Sequence, residues 1–487
     1  MAKALMFMGT GSDVGKSLLV AGLCRALSNR GLRVAPFKPQ NMSNNAAVTV
    51  DGGEIGRAQA LQARAARRPA TTAMNPVLLK PEGESGSQVV VRGQRLASMS
   101  ARDYWRDRGK LMPEVLNAFA ELGRDVDVVL VEGAGSASEI NLRQNDLANF
   151  GFAQAAQVPV VLVGDIERGG VIASLVGTFS VVQPEDSRLI RATLVNKFRG
   201  DPALFAAGCD AITERTGVPC LGPVPWFAEA GKLPAEDSLG LRDWQPNANG
   251  MLTVSVPQLP RIANFDDLDP LRAEPGVKLV MVQPGEPIPR DSDWVVLPGS
   301  KATRSDLAAL RDNGWHIDIL AHHRAGGRVL GICGGYQMLG RTIADPDGIE
   351  GMPGTSEGLG LLDVETVLTP VKQLRVEAAS HAASGEAISG YHMHMGGTVG
   401  PDRHRAFAVV ERQGEGATSA NGRVMGTYLH GLFAADGFRR AFLGNVASPD
   451  FEYEASIEGV LDDLARHLEQ HLDLDALLAL AQEVRLD

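Results

Sequence analysis

Short apolar runs alternate with amphipathic stretches along most of the chain. In the first half the apolar runs are ALMFMG, RVAPFKP, DVVLVEGAG, VPVVLVGDI and ATLVNKF. In the second half they are LTVSVPQ, KLVMVQP, DWVVLPGS, RVLGICGG and GRVMGTYLH. Buried strands of a parallel sheet are continuous apolar runs, and the helices that cover such a sheet are amphipathic. The pattern therefore predicts an α/β fold with a mostly parallel sheet in each half.

A polar stretch, LRDWQPNANG, separates the two series of runs near residue 250. We therefore predict a first domain over residues 1–245 and a second domain over residues 250–440. Residues 441–487 include IEGVLDDLARHLEQHLDLDALLALAQ, in which apolar residues recur at helical spacing. This segment is predicted to form a helical tail that packs on the second domain.

Composition and charge narrow the classes of function. The chain of 487 residues has 47 Lys and Arg residues against 58 Asp and Glu residues, which gives a net charge of −11. Such an acidic chain argues against a dedicated nucleic-acid binder. Its four cysteines show no CxxC spacing, and no apolar run reaches the roughly 18 residues needed to cross a bilayer. We expect a cytoplasmic protein without a disulfide framework, a zinc site or a membrane partner.

The segment GTGSDVGKS, residues 9–17, lies between an apolar run and an amphipathic one. A standard phosphate loop reads G-x-x-x-x-G-K-[ST], but here a threonine occupies the place of the first glycine. Backbone N–H groups in such a loop, and the N-terminus of the helix that follows, bind phosphate oxygens. An ordinary strand-to-helix turn is the alternative interpretation. The residues expected to bind ATP are Thr10, Gly11, Gly15, Lys16 and Ser17.

Polar side chains stand at the ends of three further predicted strands of the first half. Ligands of open α/β sheets collect at the carboxyl ends of the strands. Glu132 follows DVVLV and is expected to bind Mg2+ together with Ser17; a purely structural glutamate is the alternative. Asn196 ends ATLVN and is suited to hydrogen-bonding the edge of an adenine. Asp165, in VGDIERGG, is a further candidate at a strand end.

These segments resemble those of the dethiobiotin synthetase-like ATPases. GTGSDVGKS is similar to their loop G-T-x-[ST]-x-V-G-K-[ST], and VEGAG and the strand-end asparagine match their pattern too. Enzymes of that group use ATP to activate a carboxylate or a carbamate. The resemblance implies a P-loop NTPase-type domain that uses ATP to activate a carboxylate.

Residues 36–93 contain a segment crowded with amides and hydroxyls. Such side chains can orient a polar ligand, although clusters of this kind are more often simply loops. The segment resembles the KPQNMSNN and MNPVLLKP signatures of the cobyric acid synthase family. The resemblance makes these residues candidates for binding the substrate: Gln40, Asn41, Ser43, Asn44 and Asn45.

The second half contains RVLGICGGYQMLG, a cysteine version of the G-x-S-x-G nucleophile elbow. Small flanking residues permit the strained turn that presents the sulfur of Cys333, and the next helix favours its ionised form. The N–H of Gly334 is placed to stabilise an oxyanion. A cysteine nucleophile needs a base, and His430 follows at the end of an apolar strand. A buried structural cysteine and a core histidine are the alternatives.

The order of this cysteine and this histidine resembles that of the class I glutamine amidotransferases, whose fold is flavodoxin-like. LPGSKATRSDL resembles their oxyanion loop, which implies a second N–H near Gly299. Many members carry a carboxylate two residues after the histidine, but here that place holds Leu432. Cobyric and cobyrinic acid amidases share this departure, so the third member of the triad stays open.

VPQLPRIANFDDLDPL, residues 256–271, resembles the segment that opens the glutaminase domain of the cobyric acid synthase family, so the resemblance covers nearly the whole chain. It implies glutamine- and ATP-dependent amidation of the b, d, e and g carboxylates of adenosylcobyrinic acid a,c-diamide, in adenosylcobalamin biosynthesis. The expected partners are glutamine and this corrinoid, and the sequence leaves open whether the chain forms a homo-oligomer. The alternatives are a cobyrinic acid a,c-diamide synthase, a ParA-like or MinD-like ATPase switch, and a non-catalytic corrinoid scaffold.

Overall fold

The chain divides into two units. The computed structural model describes residues 2–82, 86–236, 244 and 246–484. Unit 1 comprises Met1–Ser43, Thr49–Pro234 and Ile457–Asp487, and unit 2 comprises Asn44–Val48 and Ala235–Ser456. Part of the stretch that the sequence predicts as a linker, residues 237–243 and 245, lies outside the described residues. Within the described ranges, no helix is both long and apolar enough to cross a membrane.

Among the described residues, unit 1 is built on a sheet of six parallel strands, most of them buried and rich in Val and Leu, and the short strand Gln482–Glu483 pairs antiparallel with the strand Lys3–Gly9. In spatial order the strands are Cys220–Leu221, Ile190–Asn196, Val160–Asp165, Lys3–Gly9, Val128–Glu132 and Val34–Phe37. The principal helices are Lys16–Asn29, Arg57–Ala65, Met112–Gly123, Phe150–Ala155, Val171–Val181 and Ala206–Thr216. Because the strands are parallel, their carboxyl ends share one edge, which carries the phosphate loop and the three predicted strand-end residues.

A smaller sheet in unit 1 continues from the end of the central sheet. Its strands, in spatial order, are Gln40–Met42, Val77–Glu82, Gly86–Val91 and Gln94–Ser100. The helix Ala101–Asp107 follows directly, and the Ser100 hydroxyl caps it by accepting the N–H of Asp103. Of the polar residues that the sequence associates with the substrate, Gln40 and Asn41 lie on the first strand of this sheet.

Unit 2 contains a parallel sheet with one antiparallel edge strand. In spatial order the strands are Val277–Val282, Leu252–Pro257, Trp294–Leu297, Arg328–Ile332, Val424–Thr427 and the antiparallel Ala417–Thr418. Numbered along the chain, the parallel strands have the order 2-1-3-4-5, which is the flavodoxin-like order. The helices are Asp269–Ala273, Thr303–Asp312, Trp315–Arg324, Gly334–Leu339 and Asp436–Leu443. The predicted α/β fold class is confirmed in both units.

A second sheet in unit 2 is largely antiparallel and includes the strand that carries His430. Its strands are Gly354–Glu357, Thr342–Asp345, Glu365–His381, Ala387–Val399 and Leu429–His430, with Ala408–Val410 and Gln413–Glu415 beside them. Tyr391 pairs with His430 in this sheet. The histidine is therefore held by a sheet other than the one that carries Cys333.

The helical tail belongs to unit 1, and the prediction that it packs on the second domain was wrong. The helices are Tyr453–His471 and Leu474–Leu480, and residues 457–487 group with unit 1. Helix Lys16–Asn29 packs so closely on the tail that a Cβ added at Gly22 would lie 2.5 Å from Leu468 Cδ1. The periodicity marked an apolar face, but it could not say which surface that face covers.

Candidate nucleotide and glutaminase sites

The phosphate loop joins the central strand of unit 1 to the helix Lys16–Asn29. Gly15 caps this helix in the left-handed region, with φ of 90°, which suits a residue without a Cβ. The Nζ of Lys16 donates to Gly11 O at 3.1 Å and to Gly135 O at 3.0 Å. The lysine thus bridges the loop and the turn that follows Glu132, at the edge of the sheet where phosphates would lie.

The position of the unusual glycine in this loop has a steric cause. A Cβ added at Gly9 would lie 2.7 Å from Gly11 O and 2.8 Å from the Nζ of Lys16. At Gly11 the nearest atom to an added Cβ is in Val14, at 3.9 Å. The N–H of Thr10 donates to Val163 O at 2.9 Å, so this residue is anchored to the sheet. The loop therefore requires its first glycine one position earlier than the standard pattern does.

Glu132 is buried among donors at the end of its strand. Its Oε1 accepts from Ser17 Oγ at 2.7 Å and from Lys38 Nζ at 2.9 Å, and its Oε2 accepts from Gln62 Nε2 at 2.6 Å. Burial alone would raise the pKa of Glu132, but the Lys38 ammonium and the hydrogen bonds of Gln62 and Ser17 outweigh it and lower that pKa. The carboxylate is ionised beside the phosphate loop, as a cation ligand must be.

The other two strand-end residues have partners within unit 1. The Nδ2 of Asn196 donates to Val14 O at 2.9 Å and sits under Gly15, where an added Cβ would meet it at 2.5 Å. Asp165 accepts from Lys197 Nζ at 3.1 Å and from the N–H of Glu167 at 2.8 Å. Asn196 therefore braces the phosphate loop, a role that the sequence did not suggest, and Asp165 is held in an ion pair.

The structure separates the polar segment that was predicted to bind substrate. Gln40 lines a cavity in unit 1, and its Oε1 accepts from Tyr104 OH at 2.7 Å. Asn41 is buried and donates to Gln59 Oε1 at 2.9 Å, while Ser43 is buried with its N–H on a backbone carbonyl. Asn44 and Asn45 group with unit 2. Of the candidates, Gln40 is the one that the structure brings to this cavity.

Cys333 lies at a strained turn between the strand Arg328–Ile332 and the helix Gly334–Leu339. Its φ is 53° and its ψ is −108°, a backbone conformation that is costly for a residue with a Cβ. Close packing holds the turn, since a Cβ added at Gly335 would lie 2.1 Å from Leu297 O, and one at Gly331 would lie 2.6 Å from Gly335. These are the features of a nucleophile elbow.

His430 links Cys333 to a buried aspartate that the sequence left unidentified. Its Nδ1 lies 2.7 Å from Asp267 Oδ2, and Asp267 Oδ1 accepts the N–H of Gly431 at 2.6 Å. Burial by itself would lower the pKa of His430, but the Asp267 carboxylate and a hydrogen bond with Cys333 raise it to about 10. This environment favours the protonated imidazole, and Asp267 fixes the orientation of its ring through Nδ1.

Sequence spacing could not indicate Asp267, because it lies 163 residues before His430. Asp267 lies in NFDDLDPL, part of the segment that resembles the start of the family's glutaminase domain. That segment holds several acidic residues, and the sequence does not indicate which of them faces the histidine. The short helix Phe265–Leu268 begins after Asn264, which is in the left-handed region with φ of 52°. This turn buries Asp267 under the histidine, and it makes Asp267 the candidate third member of the triad.

The loop at Gly299 and Ser300 lies close to the start of the helix Gly334–Leu339, beside the elbow of Cys333. The N–H groups of the first turn of helix Gly334–Leu339 have no partner within the helix. A Cβ added at Gly334 would lie 2.9 Å from Ser300 N, and one added at Gly299 would lie 3.3 Å from Cε1 of His430. Gly299 lies close to His430, and Gly334, which follows Cys333, lies close to Ser300.

Comparison with known families matches both units. Residues 5–240 match the CobQ/CobB/MinD/ParA nucleotide binding domain, and residues 253–438 match the CobB/CobQ-like glutamine amidotransferase domain. The chain is therefore a fusion of an ATP-using nucleotide-binding domain and a glutamine amidotransferase domain. The match to the second domain excludes the alternative of a ParA-like or MinD-like ATPase switch, which would have no glutaminase domain.

Curated relatives match over nearly the whole chain. A cobyric acid synthase of Cereibacter sphaeroides is 61% identical over 98% of this chain and 100% of the relative. Those of Rhodobacter capsulatus and Bradyrhizobium diazoefficiens are 60% and 59% identical, over 98% and 99% of this chain and 100% of each relative. The chain belongs to the cobyric acid synthase family. It is an enzyme, a glutamine-hydrolysing carbon–nitrogen ligase of cobalamin biosynthesis.

Proposed function

We propose that the protein amidates the b, d, e and g side-chain carboxylates of adenosylcobyrinic acid a,c-diamide with ATP, Mg2+ and glutamine, and so forms adenosylcobyric acid. The observation that carries this proposal is the buried pair of His430 and Asp267, with Cys333 at a nucleophile elbow near the imidazole, in a chain that also holds a phosphate loop. An amide-forming ligase needs an ammonia source and a phosphoryl donor, and these two sites supply them. The name of the relatives adds the corrinoid class of the substrate.

In unit 2, the sulfur of Cys333 attacks the amide carbon of glutamine and forms a tetrahedral oxyanion. The N–H of Gly334 and an N–H of the loop at Gly299 and Ser300 would hold this oxyanion. His430 gives its proton to the nitrogen, the C–N bond breaks, and ammonia leaves a thioester. Water then attacks the thioester with His430 as the base, which releases glutamate and restores the thiol.

In unit 1, the γ-phosphoryl group of ATP passes to an oxygen of a substrate carboxylate, which gives an acyl phosphate and ADP. Ammonia attacks the acyl carbon, and inorganic phosphate leaves with the former carboxylate oxygen. The amide could not form directly, because oxide is a far poorer leaving group than phosphate. Thr10, Gly11, Gly15 and Lys16 would hold the phosphates, and the Oδ1 of Asn196 would accept from the adenine.

Ser17 and Glu132 would hold Mg2+. Hydroxyl and carboxylate oxygens are ligands that Mg2+ accepts, and these two lie side by side at the phosphate loop, where Ser17 Oγ donates to Glu132 Oε1 at 2.7 Å. The ion would neutralise charge on the phosphates. Lys38, 2.9 Å from the same Oε1, keeps the carboxylate ionised until the ion binds. We also propose a cytoplasmic location, since reduced cysteines suit a thiol nucleophile.

One experiment tests the substrate. The protein is incubated with glutamine, Mg-ATP and either cobyrinic acid or its a,c-diamide, and the amides added are counted by mass spectrometry. Four amides on the a,c-diamide support the proposal. Two amides on the free acid, with none on the a,c-diamide, would instead show a cobyrinic acid a,c-diamide synthase.

A second experiment tests the division of labour between the two sites. The C333S protein is expected to lose amidation with glutamine and to retain it with free ammonium at high pH, because unit 1 needs ammonia and not glutamine. Loss of both activities in a folded C333S protein would show that the division is wrong.

A further inference from the structure

A cavity of 570 Å³ lies within unit 1, beside the phosphate loop. Ser12 of the loop forms part of its wall, and so does Gly135, whose carbonyl accepts a hydrogen bond from Lys16 Nζ. Gln40 and Ser136 line it too. Since Lys16 would contact the outer phosphates of ATP, this wall lies where the acceptor of the γ-phosphoryl group has to arrive.

The sheet order separates this cavity from the proposed adenine position. The strand Lys3–Gly9 is flanked on one side by Val128–Glu132 and on the other by Val160–Asp165, beyond which lies Ile190–Asn196. The wall residues 134–137 follow the strand that ends at Glu132. The part of the wall next to the phosphate loop is therefore on the side of Lys3–Gly9 away from Asn196, which argues that its occupant is the second substrate and not the nucleotide base.

Aromatic rings and a guanidinium form one side of the cavity. Tyr104 and Trp105, from the helix Ala101–Asp107, line it, and the Cζ of Arg108 lies 4.3 Å from the centre of the Trp105 ring. The Nη2 of Arg108 donates to the carbonyl oxygens of Leu142 and Gln144, at 2.6 and 2.8 Å. Two carbonyl oxygens thus hold the guanidinium against one face of the indole, and this pair offers an aromatic ring with a positive charge beside it.

Among its described residues, the wall has three acidic ones: Glu139 lies near Gly135, and the other two, Asp146 and Asp186, are held by partners. Asp186 accepts two hydrogen bonds from Arg143, at 2.7 and 2.9 Å. Asp146 accepts backbone N–H groups at the start of the helix Phe150–Ala155, including that of Gly151 at 2.9 Å. These two carboxylates are compensated within the wall, which reduces their repulsion of an anionic ligand.

We propose that this cavity binds one edge of the corrinoid, with a face of the macrocycle on Trp105 and one side-chain carboxylate directed toward Ser12 and Gly135. This inference rests on the proposed function. The volume lies within the range of small-molecule sites, and it accepts an edge of so large a ring and not the whole of it. Four carboxylates have to reach one phosphoryl donor in turn, and stacking on an aromatic face tolerates the several orientations that this requires.

The test uses the full-length protein with adenosylcobyrinic acid a,c-diamide as the probe. W105A is expected to raise the KM for the corrinoid about tenfold, since stacking on an aromatic ring contributes about that factor. W105F keeps a ring and is expected to restore most of the affinity. The KM for ATP and the glutaminase activity without corrinoid should stay within about twofold of the unmodified protein.

Trp226 provides a matched control in the same unit. It is 39% exposed against 37% for Trp105, and an arginine, Arg199, lies over its ring at 4.2 Å. W226A is expected to leave the corrinoid KM unchanged. An unchanged corrinoid KM in W105A, or a rise confined to the KM for ATP, would overturn the proposal. If the unmodified protein adds no amide to the corrinoid, the proposed function fails instead, so the two failures are distinguishable.

Discussion

Replacement of Asp267 by asparagine tests whether the buried carboxylate holds the proton on His430. The change is isosteric, and the N–H of Gly431 can still donate to Oδ1. The Nδ2 amide would then face Nδ1 of His430, only 2.7 Å away in the native pair, and would favour the neutral tautomer with its proton on Nε2. That tautomer cannot accept a proton from Cys333 at Nε2.

The structure gives the size of the expected effect. The pKa of His430 is raised from 6.5 to about 10, which corresponds to about 5 kcal/mol in favour of the imidazolium. Asp267 and Cys333 share this stabilisation, so we assign about half of it, 2–3 kcal/mol, to the aspartate. Since about 1.4 kcal/mol is a factor of ten in rate, D267N should lower kcat/KM for glutamine hydrolysis about 30- to 160-fold.

The pH dependence separates an electrostatic role from a structural one. A raised pKa keeps the imidazolium up to pH near 10, so activity that needs it falls only as the pH rises through that value. In D267N the carboxylate no longer opposes the effect of burial on the pKa of His430. The alkaline limb of the pH profile of glutamine hydrolysis should therefore move about two pH units toward acid. Glutamate release is measured from pH 6 to 10.5 with saturating Mg-ATP and corrinoid.

D266N, the same substitution at the preceding residue, is the control. Ammonium-dependent amidation should be unchanged in D267N, because it does not use the glutaminase. Glutamine hydrolysis within threefold of the unmodified protein, with an unmoved alkaline limb, would refute the reasoning about Asp267.

Three further predictions concern the loop, the tail and a buried carboxyl. G9A should weaken ATP binding at least tenfold and G11A should leave it within threefold, because an added Cβ lies 2.7 Å from a carbonyl oxygen at the first position and 3.9 Å from the nearest atom at the second. E458Q should lower the free energy of unfolding of unit 1 by about 2 kcal/mol, because the fully buried Arg25 loses a charged partner. Burial raises the pKa of Glu415 to about 7. The protonated carboxyl therefore stabilises the fold fully below pH 4.5, and this stabilisation is lost as the pH rises through 7, by about 3 kcal/mol at most. E415Q cannot ionise, so its free energy of unfolding should fall less over this pH range.

The measurements for these predictions are direct. ATP binding is followed by calorimetry, and unfolding by urea titration, for E415Q at several pH values between 4.5 and 8. Equal ATP affinities of G9A and G11A would contradict the steric account of the loop. An unfolding curve of E458Q that overlays the native one would show that the ion pair adds nothing, and an unchanged pH slope in E415Q would place the titrating group elsewhere.

Local patterns were sufficient for the α/β class, the phosphate loop and the cysteine elbow. Each of these depends on residues close together in the chain: an apolar run, a glycine-rich turn and the helix that follows. The sequence alone therefore shows the periods of strand and helix and the positions where a turn needs glycine. The resemblance to the cobyric acid synthase family, carried by KPQNMSNN, MNPVLLKP and VPQLPRIANFDDLDPL, was confirmed over almost the whole chain.

Contacts between distant segments were decided only by the tertiary structure. The pairing of Asp267 with His430, the bracing of the phosphate loop by Asn196 and the packing of the tail on unit 1 join residues that lie 163, 182 and more than 400 positions apart. No period or spacing encodes such pairs, because the sheet order and the path of the chain bring them together. A residue's type shows which chemistry it can perform, but only the fold determines which neighbour it performs that chemistry with.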